Sequence, residues 1–257
     1  MTQDELLVKP TGVLIKTTLV DFPGCVASTY FLKGCNFRCP YCYNIQLVEP
    51  KSSENSNLIP PVQVLEHLFK RKNVIEGFVI SGGEPLLNPL TPFLITKAKE
   101  LGYKIKIDTN GTLPLILETL LSDKKTKPDF IALDIKTSFE KYKTQIPVTS
   151  NFKNANIKDL ICKSIELLKT LGSKNYEIRT VLVPNLVTKE DIQKIASIIP
   201  QDASWQFAQF RNENCLNPNY NFLTPYTDSQ IKELINYKMM AKALKKLWLI
   251  LSFQNPL

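Results

Sequence analysis

Three cysteines fall within eight residues of Lys33-Gly-Cys-Asn-Phe-Arg-Cys-Pro-Tyr-Cys-Tyr-Asn44, spaced as Cys35-x3-Cys39-x2-Cys42. A structural zinc site needs four ligands and would have to borrow one from elsewhere in the chain. A [4Fe–4S] cluster is ordinarily held by four thiolates, so three leave one iron open to an exogenous ligand. The unequal spacing lets a single loop wrap one corner of a cubane.

Other polar segments could serve the same chemistry. In Ser81-Gly-Gly-Glu-Pro85, Gly82 and Gly83 let the backbone approach a ligand closely and Glu84 offers a carboxylate to an ammonium group. A Gly-Gly pair at a strand end is often only a turn, but this one follows the cysteine loop by about one βα unit. Asp108-Thr-Asn-Gly-Thr112 and Leu133-Asp-Ile-Lys136 follow. Asp134 and Lys136, two apart on a strand, point to one face and can address one zwitterionic ligand or simply pair with each other. Arg179 shares that logic, and Gln206 and Gln209 are further polar contacts.

Strand-like apolar runs alternate with helical patterns, which predicts βα units and a parallel sheet. Strands are expected at Val26–Leu32, Gly77–Ser81, Lys104–Asp108, Phe130–Ile135, Tyr176–Val183 and Ser204–Phe210. Helices are expected from Pro60-Pro61 and over Pro89–Leu101, Leu113–Leu121, Ile157–Leu171 and Lys189–Ile198. Lys51–Asn57 reads as a loop. Each polar motif then lies at the C-terminal end of its strand, the rim where parallel barrels build active sites. The expected fold class is α/β, a partial (β/α)6 TIM-type barrel open at one side, in a single domain over residues 1–257. The cluster loop spans 34–44, the core barrel about 24–212 and a helical extension about 226–257. Thr227-Asp-Ser-Gln caps that extension, and Trp248–Phe253 reads as a final strand. Its basic residues, around Lys238–Lys246, suit packing on the barrel better than a membrane anchor.

The cysteine spacing resembles the cluster loop of the radical S-adenosylmethionine (SAM) superfamily, in which the open iron binds the amino and carboxylate groups of SAM. With Thr18-Leu-Val-Asp-Phe-Pro-Gly24 and the later motifs, the chain resembles the activating enzymes of glycyl-radical proteins from about residue 12 to about residue 235. Within them it is most similar to the activating proteins of anaerobic ribonucleoside-triphosphate reductase. The resemblance implies that Cys35, Cys39 and Cys42 ligate one [4Fe–4S] cluster and that Tyr41 packs beside the adenine. It also implies that Gly82, Gly83 and Glu84 hold the methionyl amino group, with Asp108, Asp134 and Lys136 around the carboxylate. The implied reaction is one-electron cleavage of SAM, followed by abstraction of a Cα hydrogen from a glycine of the partner, anaerobic ribonucleotide reductase. Fe–S potentials reach about −700 mV, so the donor, flavodoxin or ferredoxin, must be strongly reducing. Relatives commonly carry histidine where this chain has Tyr43, and some bind ribose through a late histidine that has no counterpart here.

Composition agrees. The chain has 257 residues, 44% hydrophobic and 22% charged, the profile of a soluble globular protein. An acidic N-terminus and the absence of a long apolar run point to a cytoplasmic protein without a signal or membrane span. Six cysteines in such a compartment do not call for disulfides. Cys162 reads as helix packing, Cys25 as a residue outside the trio, and Cys215 carries no assignment. His67 is the only histidine, which excludes multi-histidine metal sites and disfavours a histidine triad. The net charge is +8, with lysines dense between Lys124 and Lys174. They form a solvated surface or a docking face for an acidic electron donor. No module or aromatic interleaving suggests nucleic acid. Two other readings stay open: a radical SAM enzyme with a small-molecule substrate, such as a deazaguanine-forming enzyme, and a non-catalytic metal-binding module.

Overall fold

The structure, a computed structural model, describes residues 2–48 and 57–254, with side chains to residue 243. The stretch expected as a loop at Lys51–Asn57 lies outside those residues except for Asn57. Seven strands form one sheet in sequential order: β1 (Gly12–Thr18), β2 (Ala27–Leu32), β3 (Gly77–Gly82), β4 (Lys104–Thr109), β5 (Phe130–Asp134), β6 (Tyr176–Leu182) and β7 (Ser204–Gln209). From β2 to β7 every pairing is parallel, and the two edges do not pair. The result is the expected open (β/α)6 barrel with one strand added.

That strand is β1, which runs antiparallel to β2, Gly12 opposite Leu32 and Thr18 opposite Ala27. The sequence reading began the sheet at Val26 and left β1 out. Val13, Leu14, Ile15, Thr17 and Thr18 favour strand, but their run lacks a clean period of two.

The helices are α1 (Gln3–Val8), α2 (Ile45–Val48), α3 (Pro61–Arg71), α4 (Thr91–Glu100), α5 (Pro114–Ser122), α6 (Phe139–Gln145), α7 (Ile157–Lys169), α8 (Lys189–Ile198) and α9 (Asp228–Gln254). Proline stands in the first turn of α3, α4 and α5, where its missing N–H costs nothing and its φ is preset. Thr188 and Asp191 form a capping box for α8. The inward stripes of α3, α4 and α7 bury Val64 and Leu68, Leu94 and Ile95, and Ile161, Ile165 and Leu168. They cover one sheet face, which supplies Phe78, Ile80, Ile105, Ile107, Ile131, Leu133 and Ile178 to the main core.

The other sheet face, inside the barrel, is divided. Near the strand starts, Phe22, Cys25, Ala27 and Val79 form a separate apolar cluster with Phe130 against it. Nearer the strand ends the inward positions are polar. Cys25 therefore belongs to the base, away from the cysteine loop.

His67 is a helix residue, as expected. Its Nε2 lies 3.0 Å from Ser28 Oγ and 3.2 Å from the Lys16 carbonyl oxygen, tying α3 to β1 and β2. Thr227 and Gln230 cap α9 reciprocally. The helix runs on to Gln254, so Trp248–Phe253 is helical and not the strand the sequence suggested. No glycine or proline interrupts the run from Asp228, and a short apolar stretch does not by itself distinguish strand from helix. Two of the basic residues of α9 turn to the sheet: Lys238 Nζ donates to the Trp205 carbonyl (3.0 Å) and Lys242 Nζ to that of Ala203 (2.7 Å). Among the described residues no helix is long and apolar enough to cross a membrane.

Candidate functional site

The cysteine loop leaves the end of β2 and is tied down from several sides. Gly34 N–H donates to Leu47 O (2.7 Å), Arg38 N–H to Pro147 O (2.8 Å), and Phe37 bridges to Val148. The Arg38 guanidinium closes the loop on itself through the carbonyls of Cys35 (2.8 Å) and Phe37 (2.9 Å). Asn36, fully buried, is the knot. Its Nδ2 donates to Thr112 Oγ1 (2.6 Å), and its Oδ1 accepts from Asn110 Nδ2 (2.8 Å). Leu216 N–H donates to Cys42 O (2.8 Å) and Asn217 N–H to Pro40 O (2.9 Å), so the Cys215 segment lies on the far side of the loop.

The glycines after β3 are explained first by this loop. A Cβ on Gly83 would stand 2.0 Å from Gly34 O, and one on Gly82 2.4 Å from the Leu32 backbone, where Gly82 also has φ +114°. Only residues without side chains let β3 reach the cysteine loop so closely. Glu84 N–H then donates to Gly34 O (2.8 Å).

The Glu84 carboxylate is buried and accepts from Leu86 N–H (3.1 Å), Thr109 Oγ1 (2.9 Å) and Asn110 N–H (2.7 Å). A carboxylate has about four acceptor positions, so one remains for a further donor. Burial outweighs these bonds and pushes its pKa up to about 7.

Facing Glu84 across the barrel mouth is a chain of charges. Lys106 Nζ donates to Asp108 Oδ1 (2.5 Å), Ser81 Oγ to Asp108 Oδ2 (2.8 Å), Arg179 Nε to Asp134 Oδ1 (2.8 Å) and Lys136 Nζ to Asp134 Oδ2 (2.8 Å). Arg179 Nη1 is also 3.4 Å from Asp108 Oδ2. Burial would raise the pKa of Asp134, but Arg179 and Lys136 overcome it and hold the carboxyl far below its usual range. Burial would lower Lys136 and Arg179 in turn, and the carboxylates keep both charged.

The three thiols are largely buried, and desolvation pushes Cys35 up to about 11 and Cys39 to about 12, with Cys42 raised as well. Cys42 adds to the rise of both Cys35 and Cys39, Cys35 adds to that of Cys39, and Lys136 lies close enough to oppose the rise in all three. Tyr41 is buried beside them, and its hydroxyl has no hydrogen-bond partner. An orphaned buried hydroxyl costs about 1–3 kcal/mol, so this point suits a polar guest. Tyr142, stacked near Phe37, accepts the Lys136 N–H (2.7 Å).

Of the residues singled out from sequence, Cys35, Cys39, Cys42, Tyr41, Gly82, Gly83, Glu84, Asp108, Asp134, Lys136 and Arg179 all come to this one rim. Gln206 and Gln209 are exposed and bond to Ser204 (2.9 Å) and the Tyr226 carbonyl (3.4 Å) instead. Sequence reasoning missed Lys106, although it stands two before Asp108 as Lys136 stands two after Asp134. It also missed Asn36 and the Cys215 segment, whose partners lie far away in the chain.

The family pattern for the Radical SAM superfamily matches residues 29–199. The chain belongs to the radical SAM superfamily. Members use a [4Fe–4S] cluster and SAM, and this is a radical SAM enzyme. A Methanocaldococcus jannaschii protein, provisionally named a glycyl-radical enzyme activating enzyme, is 31% identical over 225 residues, covering 86% of this chain and 88% of that protein. A 7-carboxy-7-deazaguanine synthase of Aquifex aeolicus is 35% identical over 82 residues, 32% of this chain and 35% of its own length. Streptococcus suis SuiB, solved bound to its precursor peptide SuiA, shares the fold with a TM-score of 0.57 at 18% identity, over 85% of this chain and 46% of that one. The radical SAM donor set fits the loop, with three thiols on one segment, a buried polar atom awaiting a partner and a charged wall opposite.

Two outcomes follow from the geometry. Gly83→Ala forces the cysteine loop away from β3 and should cost about 2–4 kcal/mol in denaturant unfolding. Arg179→Met leaves Asp108 to Lys106 alone and Asp134 to Lys136 alone, with the two carboxylate side chains 14% and 26% exposed, and should cost about 1–2 kcal/mol at pH 7. Because the pairing lowers the pKa of Asp134, its stabilisation is present above the unfolded carboxylate range. The gap from wild type should therefore narrow as pH falls below about 4.

Proposed function

We propose that this enzyme activates a glycyl-radical enzyme, with anaerobic ribonucleoside-triphosphate reductase as the partner. The observation that carries the reading is the relative matched along nearly the whole of both chains. The deazaguanine synthase matches about a third of each and supports only the shared radical SAM part.

In this reading Cys35, Cys39 and Cys42 would hold the cluster and leave one iron open to SAM. A cluster and SAM held there would supply one-electron reductive cleavage of the sulfonium, the chemistry that could take a hydrogen from the partner's glycine. The protein's own part is positional. Glu84, fixed by three donors, presents its remaining acceptor position to the methionyl ammonium, beside the Gly82–Gly83 backbone. Lys136, kept protonated by Asp134, faces the carboxylate end, and Asp108 and Arg179 hold Asp134 and its neighbours in register. Tyr41 lines the pocket next to Cys39. The apolar base of Phe22, Cys25, Ala27 and Val79 keeps water from entering beneath. A strongly reducing donor of the flavodoxin or ferredoxin type supplies the electron.

Electron paramagnetic resonance on an anaerobic mixture of reconstituted protein, SAM, reductant and the reductase of the same organism tests the partner. A glycyl-radical doublet that needs both proteins and SAM is expected. Cleavage of SAM to 5′-deoxyadenosine without a doublet would reject that partner. Cys39→Ala should abolish 5′-deoxyadenosine formation while the circular dichroism spectrum stays near wild type; continued SAM cleavage would sink the ligand assignment. The Glu84 carboxyl, half protonated near pH 7, binds an ammonium only when ionised. SAM affinity measured by calorimetry should thus tighten by up to about tenfold per pH unit as pH rises toward 7. Glu84→Gln should remove that slope.

A further inference from the structure

The lead-in Leu19-Val-Asp-Phe-Pro-Gly24 takes no part in the rim. It joins β1 to β2 at the opposite end of the barrel, with Asp21 accepting from Thr29 Oγ1 (2.7 Å) and Cys25 N–H donating to Phe22 O (3.2 Å). There Phe22, Pro23 and Gly24 form one wall of a cavity of about 680 Å³, within the size range of small-molecule sites, about 300–1,000 Å³.

Five lysines line this cavity: Lys99, Lys104, Lys124, Lys127 and Lys174. Asp129 is the single carboxylate among its lining residues, and it is spoken for, accepting the Ile105 N–H at 2.8 Å. Lys99 stands 4.0 Å from Asp129, and Lys104 3.8 Å from Glu76. Among the described residues no carboxylate lies within salt-bridge distance of Lys124, Lys127 or Lys174. Lysines at helix C-termini are ordinary partners of the helix dipole. Here the segments after α5 and α7, the last turn of α4 and the start of β4 all bring theirs to one concave space.

The other side of the cavity is apolar, with Phe22, Phe130, Pro128 and Leu171. Gathered like charges repel unless an anion lies among them, and the apolar wall adds a flat surface for a ring. Of the lysine-dense stretch, Lys124, Lys127 and Lys174 thus meet Lys99 and Lys104 at the base of the barrel, and an electron donor docked on them would sit at the end away from the cysteine loop.

We propose that this basal cavity binds a nucleotide bearing several phosphates, with the phosphates on the lysines and the base against the apolar wall. The site is walled off from the rim by the Phe22, Cys25, Ala27 and Val79 cluster. It nevertheless stands at the start of β4, β5 and β6, which carry Asp108, Asp134 and Arg179 further along. It is independent of which partner the enzyme activates, since the test reads binding alone.

The test is a fluorescence titration of the full-length, iron–sulfur-reconstituted protein with mant-ATP. Saturating SAM keeps the probe from the rim, and inorganic tripolyphosphate serves as competitor. One saturable site is expected. Each charge-assisted contact removed should weaken binding about tenfold, so the Lys124→Ala/Lys127→Ala variant should lose about a hundredfold. The Lys143→Ala/Lys158→Ala control should bind as wild type, and both variants should melt as wild type does. Tripolyphosphate should compete more weakly than ATP. Equal losses in both variants, or no saturable binding, would overturn the site. Tripolyphosphate competing as well as ATP would overturn the nucleotide assignment in favour of a bare phosphate chain.

Discussion

Charge balance inside the barrel is the constraint on which the rest depends. The inward positions of β4, β5 and β6, together with a residue two past the end of β5, carry Lys106, Asp108, Asp134, Lys136, Glu177 and Arg179, three acids and three bases. Burial raises the pKa of Glu177, and Arg179 and Lys106 act against that rise. Removing Asp108 or Asp134 leaves Lys106 or Lys136 without its counter-ion, a costlier state than removing a whole pair. A period of two on neighbouring parallel strands sets this up, because Asp134 stands beside Arg179 in register and Arg179 beside Gln206. Bonds within the protein alone hold the wall in register, the kind of fixed arrangement that orients a charged ligand without reorganisation.

The second organising device is amide and backbone bonding rather than charge. Asn36, Asn110, Thr112 and Glu84 join the cysteine loop to the ends of β3 and β4 through fully buried bonds. The loop is not a free flap attached to a scaffold. Its position, the approach of Gly83 to Gly34 and the orientation of Glu84 are one arrangement, so a change at any of them is felt at the others.

Much of this was legible from the chain. The alternation of apolar runs and helical patterns placed six parallel strands correctly, and the four polar motifs fell at one rim because parallel βα units put every strand's C-terminal end on the same side. β1 escaped because its partner is antiparallel and its pattern is not strictly alternating. The C-terminal end was misassigned because a short, mostly apolar run broken only by Ser252 carries no period. Lys106 and Glu177 were recoverable by the spacing argument applied to Asp134 and Lys136. Asn36 was not: its amide partner Asn110 lies 74 positions away, and nothing local marks an asparagine that will be tied at both ends. The basal lysines looked like a surface stretch because their convergence arises from four separate segments.

The knot at Asn110 also bears on how the protein ages. Asn110-Gly111 is the dipeptide most open to spontaneous deamidation in a flexible chain, where the glycine nitrogen attacks the side-chain carbonyl to close a succinimide. Here the Gly111 N–H is turned to Thr109 Oγ1 (3.2 Å), and the Asn110 carbonyl oxygen accepts from Thr112 N–H (3.0 Å) and Thr112 Oγ1 (2.6 Å). The attacking atom and its target are each engaged elsewhere, so the folded protein suppresses the reaction. Once the site unfolds, an aspartate formed there would carry a new negative charge against Glu84, and the same segment would no longer close on the cysteine loop.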